Sequence, residues 1–202
     1  IAAGVATVTV TVSDGVFNVP TSFTLTAYPD NGILLTDDFS YADGSIISNS
    51  FVWTQHSGTS TGETQVVNGK LLLVNAANED VNGWFTIAPI SDSGGQLIYT
   101  RFILNLSALP TASGVGEYFT HVYAFSGAYR ARVFANTNGA AAGSFRLGIS
   151  SSSFTPTVFP QNLSLNQDYV VITRYNTATA EAALWVNPVS EASPNAASTD
   201  TS

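Results

Sequence analysis

The feature that most constrains this chain is a two-residue hydrophobic period that runs almost end to end, with no stretch of about twelve residues carrying a helical apolar stripe. Val8-Thr9-Val10-Thr11-Val12 alternates strictly and places β-branched residues on both faces, a pattern that fits an extended strand and disfavours a helix. Ser13-Asp14-Gly15 reads as a turn and Phe23-Thr24-Leu25-Thr26-Ala27 as the returning strand. Further strands are expected at Val66–Asn75, Trp84–Ile87, Leu97–Leu106, Tyr118–Phe125, Tyr129–Ala135, Phe145–Ile149, Tyr169–Tyr175 and Ala182–Val186. Asn68-Gly69, Asn138-Gly139 and the Ser150–Ser153 run supply turns between them.

Many short strands at this spacing predict an all-β chain, an antiparallel β-sandwich of the jelly-roll kind with an N-terminal β-hairpin extension. Tyr28-Pro29-Asp30-Asn31-Gly32 is the strongest breaker cluster and the expected boundary. Three regions are expected: a hairpin or donor-strand extension over 1–29, the sandwich over 30–190 and a polar tail over 191–202, with no strand after the tail begins. An isolated hairpin is marginal in water because it cannot bury its apolar face. The segment therefore needs the following domain, upstream sequence or another subunit to pack on.

Composition narrows the function classes. Six Lys and Arg stand against 14 Asp and Glu, giving a net charge of −8, and charged residues are 10% of the chain, where about 25% is usual. Six scattered cations cannot build the basic face that nucleic acid or an anionic membrane demands. Apolar runs are short and broken by Thr, Ser and Gly, which predicts no membrane-spanning helix. The chain has no Cys and no Met, which removes thiol catalysis, zinc–thiolate sites, iron–sulfur clusters and disulfides. Together with a Ser and Thr content approaching a quarter, this fits an oxidising compartment outside the cell. No charged segment followed by an apolar one opens at Ile1, so a signal peptide is expected to have been removed or to lie upstream.

Leu35-Thr36-Asp37-Asp38-Phe39-Ser40-Tyr41-Ala42-Asp43-Gly44, with Trp53 after it, resembles the opening of a bacterial laminin-G-like, concanavalin A-like jelly roll. Tyr169–Tyr175 and Ala183-Leu184-Trp185-Val186-Asn187-Pro188 are similar to its penultimate hairpin, so the resemblance spans roughly residues 33–190. Val10-Thr11-Val12-Ser13-Asp14-Gly15 resembles the closing strands of an Ig-like or cadherin-like repeat. The resemblance implies a secreted or cell-surface protein of bacterial type, with roles in glycan binding, adhesion or architecture. It also implies further strands after the Trp185 hairpin, returning beside the first strand. Strand addition by the N-terminal hairpin, through Val8, Val10, Val12, Phe23 and Leu25, would fill that place within the chain or in a neighbour. The function expected is a non-enzymatic structural or adhesive subunit assembling through strands, its partners other copies of itself or neighbouring domains. A carbohydrate-binding module and a glycan-active hydrolase or lyase are the alternatives.

Candidate chemistry is sparse. Glycoside hydrolysis needs two opposed carboxylates; Glu63, Glu117, Asp168 and Glu181 are isolated, and Glu79-Asp80 falls in an Asn-rich turn. No catalytic residue is assigned. His56 is expected to be exposed, and His121 to be a hydrogen-bonded structural residue sharing a strand face with Phe119 and Tyr123. Asp37, Asp38 and Asp43, beside Gly44, offer hard oxygen ligands suited to Ca²⁺, or else a turn and a cap on backbone amides. Sugar binding needs exposed rings beside polar groups, and Trp53, Trp84, Tyr118, Tyr123, Tyr129 and Arg130 are the candidates. Arg130 and Arg132 are expected to share a face that could hold a carboxylated sugar. Trp185 reads as core, its N–H requiring a partner. Asn105-Leu106-Ser107 and Asn162-Leu163-Ser164 match the N-glycosylation pattern, a coincidence if the protein is bacterial.

Overall fold

The structure, a computed structural model, describes residues 4–13, 18–27, 32–85, 90, 94–110, 115–124 and 127–201. The described part is nearly all strand. The first two strands are β1 (Gly4–Ser13) and β2 (Asn18–Ala27), followed by β3 (Gly44–Ser45), the single-turn α1 (Ile46–Asn49) and β4 (Trp53–Ser57). Next come β5 (Gln65–Val67), β6 (Lys70–Leu72), β7 (Asp80–Gly83), β8 (Leu97–Leu104) and β9 (Glu117–Tyr123). The rest are β10 (Tyr129–Asn136), β11 (Ser144–Ser150), β12 (Thr157–Val158), β13 (Leu163–Ser164), β14 (Tyr169–Asn176), β15 (Ala182–Val186) and β16 (Ala196–Ala197).

Two antiparallel sheets form the sandwich. One has the order β12-β11-β10-β9, with β13 also on β11, and the other the order β16-β15-β14-β8. The period-two pattern becomes burial directly: Tyr169, Val171, Thr173 and Tyr175 of β14 are buried and the residues between them are not. Val133, Phe145, Leu147 and Ile149 of the first sheet meet Val171, Leu184 and Val186 of the second in one core. Fully burying such side chains stabilises by about 1.5–3 kcal/mol each. Thr100 and Thr173 place hydroxyls in this layer and satisfy one another at 2.6 Å, as buried polar groups must.

Local chemistry explains several connections. Asn68 and Gly69 both take positive φ, 51° and 69°, the conformation a two-residue hairpin turn demands. The expected strand at Val66–Asn75 is consequently the β5–β6 hairpin. Gly58 has φ +89°, and a Cβ there would fall 1.5 Å from the Asn78 carbonyl oxygen, so only glycine fits. The loop it opens is held by the buried Glu79 carboxylate, which accepts from the backbone N–H groups of Gly62 at 2.8 Å and Thr64 at 2.7 Å. Those hydrogen bonds hold Glu79 below the usual carboxylate range although burial opposes them.

β1 and β2 form the expected hairpin, with Val8 opposite Phe23 and Gly4 opposite Ala27. Its turn, and residues 28–31 of the expected boundary, lie outside the described residues, as does the end of the strand expected at Trp84–Ile87. The last segment corrects an expectation. Residues 191–202 do not form a bare tail, because Ala196 and Ala197 pair with Leu184 and Ala183 and complete one edge of the second sheet. Alanine fits there because its backbone can join the ladder beside the core while its side chain needs little room. Among the described residues no helix is long and apolar enough to cross a membrane.

Candidate functional site

The outer face of the β9–β12 sheet gathers most of the chemistry. Two register shifts in the β9–β10 pair place Arg130 opposite Val122, Val133 opposite Thr120 and Phe134 opposite Tyr118. Ala131 stands at the first irregularity with φ 49°. An extra residue in one strand reverses the alternation, so Arg130 and Arg132 part company instead of sharing a face. The second shift, in which Phe119 is the extra residue of β9, sends Phe119 to the interior, where its ring meets Phe102 at 6.2 Å, while His121 stays outside with Tyr118, Tyr123 and Tyr129.

Arg132 sits at the centre of this face, only 4% exposed. Its guanidinium carbon lies 4.4 Å from the Phe154 ring centroid, 4.5 Å from Tyr129 and 5.1 Å from Tyr118. Each such contact stabilises by about 0.5–2 kcal/mol, more as water is excluded. The rings also brace each other: Tyr118 and Tyr129 are 6.2 Å apart, Tyr123 and Tyr129 5.4 Å, and His121 and Tyr129 4.8 Å. From β4, His56 packs edge-on against Tyr123 at 4.6 Å; it is half-buried rather than exposed as expected. Burial, reinforced by the positive charge of Arg132 and by His56, pushes His121 down to about 4. At neutral pH it is an uncharged ring.

The loop carrying Phe154 is fixed from a distance. Both carboxylate oxygens of Asp200 accept from the successive N–H groups of Ser151, Ser152 and Ser153, at 2.8, 2.6 and 2.7 Å. These bonds lower its ionisation below the ordinary carboxylate value against the cost of burial. Ser150 Oγ then donates to the Ser153 carbonyl at 2.6 Å, and Arg132 Nη1 reaches the same oxygen at 3.5 Å.

The other candidates are dispersed. Asp37 accepts from Trp53 Nε1 at 2.6 Å, from the Tyr41 hydroxyl at 2.8 Å and from the Phe39 N–H at 2.8 Å. Asp38 accepts from the N–H and hydroxyl of Ser40, and Asp43 from the Asn68 N–H. The three carboxylates expected to share Ca²⁺ therefore serve separate local bonds, and no metal-competent group of three is found among the described residues. Trp53 is a braced, half-buried side chain. Trp84 is 60% exposed beyond β7. Trp185 is buried, though on the outer side of its sheet beneath the 187–193 segment rather than between the sheets, donating to the carbonyls of Glu191 and Ser193. Tyr118 and Tyr129 do share the aromatic face, while Arg130 donates to the Tyr129 carbonyl. Both sequon asparagines are engaged, Asn105 with Asp168 and Asn162 with Arg146.

Ser57, His56 and Asp80 are close together, but in the wrong order for a nucleophile. The Ser57 hydroxyl donates to Asp80 at 2.5 Å and lies 3.3 Å from His56 Nδ1. The carboxylate thus holds the hydroxyl, whereas an activated serine needs the imidazole between the two.

Sequence reasoning named Tyr123 among the aromatic candidates but missed Arg132 as the centre, together with His121 and Phe154. A signal was present: the 50 residues between Glu117 and Asp168 contain Arg130, Arg132 and Arg146 and no carboxylate. In a chain of net charge −8, that gap marks a locally cationic sheet. Compared with known proteins, the chain matches no family model, and no curated protein or solved structure is significantly similar to it.

Proposed function

We propose that this chain is a non-enzymatic, extracellular adhesive module that binds glycans on the outer face of the β9–β12 sheet. The observation that carries the reading is a cluster of part-exposed rings on braced elements, with Tyr118 36%, Tyr123 37% and Phe154 67% exposed. Pyranose rings present C–H faces that stack on aromatic rings, while hydroxyl groups reach flanking polar atoms. The two-sheet architecture agrees with the laminin-G-like resemblance, and the lack of Cys and Met with a secreted setting. A glycan array tests it: binding is expected, and Tyr123→Ala should weaken it about tenfold with folding unchanged. An array without a single retained glycan overturns it.

Assembly through strands is the second reading, favoured by the open side of β8. This edge strand exposes Leu97 at 48%, Tyr99 at 47% and Ile103 at 61%, and an uncovered apolar edge invites pairing. The β1–β2 hairpin, a separate two-stranded sheet, is the proposed donor, from a second copy or a neighbouring domain. Light scattering distinguishes the cases: strand assembly predicts oligomers that disappear when residues 1–28 are removed, and a monomer at all concentrations overturns it.

A further inference from the structure

We infer that the aromatic face selects acidic saccharides, with Arg132 as the anchor for a sugar carboxylate; this rests on the glycan reading above. Three observations converge. First, Arg132 is a buried cation without a counter-charge: among the described residues both ion pairs belong to Arg174. Among the described residues its η nitrogens make one long bond, to the Ser153 carbonyl at 3.5 Å, and its Nε is buried with no partner. Buried charges are normally paired, and the faces of three rings satisfy the charge only in part, leaving in-plane N–H donors unused.

Second, no Asp or Glu occurs between Glu117 and Asp168, and the one carboxylate brought to the Phe154 loop, Asp200, is committed to the N–H groups of Ser151, Ser152 and Ser153. Asp80, whose charge acts on Tyr118 and His121 of this face, already accepts from Ser57. Third, the rings define the shape of what can bind. Inorganic anions would gain nothing from Tyr118, Tyr123 and Phe154, whereas a uronic or sialic acid offers a carboxylate for the planar guanidinium and a ring for stacking. Phe154, the most exposed of the three rings over Arg132, uncovers the guanidinium by rotating, at the least cost in buried area.

The test uses the unaltered chain and matched saccharide pairs: oligogalacturonate against its methyl ester, and sialyllactose against lactose. Calorimetry is expected to show the acidic member of at least one pair bound about 30-fold or more tightly than its neutral partner, an effect of the size a central anchor produces. Arg132→Met should abolish that preference, while Phe154→Ala weakens binding and keeps it. Equal affinity within every pair overturns the inference and leaves the glycan reading standing. Failure of acidic and neutral members alike overturns the inference, and the glycan reading then stands or falls on the array. The ester comparison decides the matter even if the Arg132 variant does not fold.

Discussion

Two arginines stack on aromatic rings on the outer faces of the two sheets, and they do opposite things. Arg174 of β14 lies 5.6 Å from the Trp185 ring and pairs with Glu191 at 2.6 Å and Glu181 at 3.0 Å. The Tyr99 hydroxyl donates to the same Glu191, while Trp185 Nε1 donates to backbone carbonyls of that segment. Its Nε is buried without a partner, as that of Arg132 is, but its charge is met by two carboxylates, so this arginine is glue for the 187–193 connection. Arg132 of β10 has more aromatic contact and, among the described residues, no carboxylate at ion-pair distance. The difference teaches that aromatic stacking alone does not assign a role to a buried arginine; the acids within reach do.

The largest expected effect probes what holds the loop over Arg132. Asp200→Ala strands three backbone N–H groups that a charged acceptor now serves, and should cost about 2–3 kcal/mol in urea unfolding. An unchanged midpoint would show that the Phe154 loop holds itself. Next, Arg174→Met should lower stability by about 1–2 kcal/mol, the part-exposed ion pairs adding little and lost stacking and packing the rest. Arg132→Met should be neutral or stabilising by about 1 kcal/mol, because an apolar chain of similar length replaces an uncompensated charge. Equal losses at the two positions would break the comparison.

Acid should act on the Arg132 side. His121 titrates near 4 when folded and near 6.5 in its ordinary state, so between these values the unfolded chain binds the additional proton. Stability therefore falls as pH drops through that window, on the order of 1 kcal/mol since the ring keeps some solvent contact. Below it, Asp200 adds a further loss: its lowered ionisation stabilises the fold above the ordinary carboxylate value, and that contribution disappears as the folded carboxylate is protonated. NMR titration of His121 checks the first step, and a bound acidic sugar should move its titration upward. The smallest effect is expected from Tyr99→Phe, about 0.5–1 kcal/mol, with no change in glycan binding.

The strands were legible because alternation in β14 and β15 reports directly which residues face the core. Asn68-Gly69 was legible as a turn because both positions need positive φ, which those residues tolerate. Tyr118 and Tyr129 could be named as ligand candidates for the same reason, being aromatic residues in strands. Arg132 could not be singled out from Arg130, because counting by twos places both on one face. Only the irregular pairing at Ala131, an alanine with no sequence mark of a positive φ, separates them.

Sequence by itself determined the all-β class, the antiparallel strands, the core pattern and the shortage of charge, since these follow from periodicity and composition. Tertiary structure decided the rest. It brought Asp200 to the Ser151–Ser153 amides across 47 to 49 positions and gave Arg174 its two carboxylates. Among the described residues it left Arg132 with none, because register shifts and long-range contacts, which no local pattern encodes, set which charges meet.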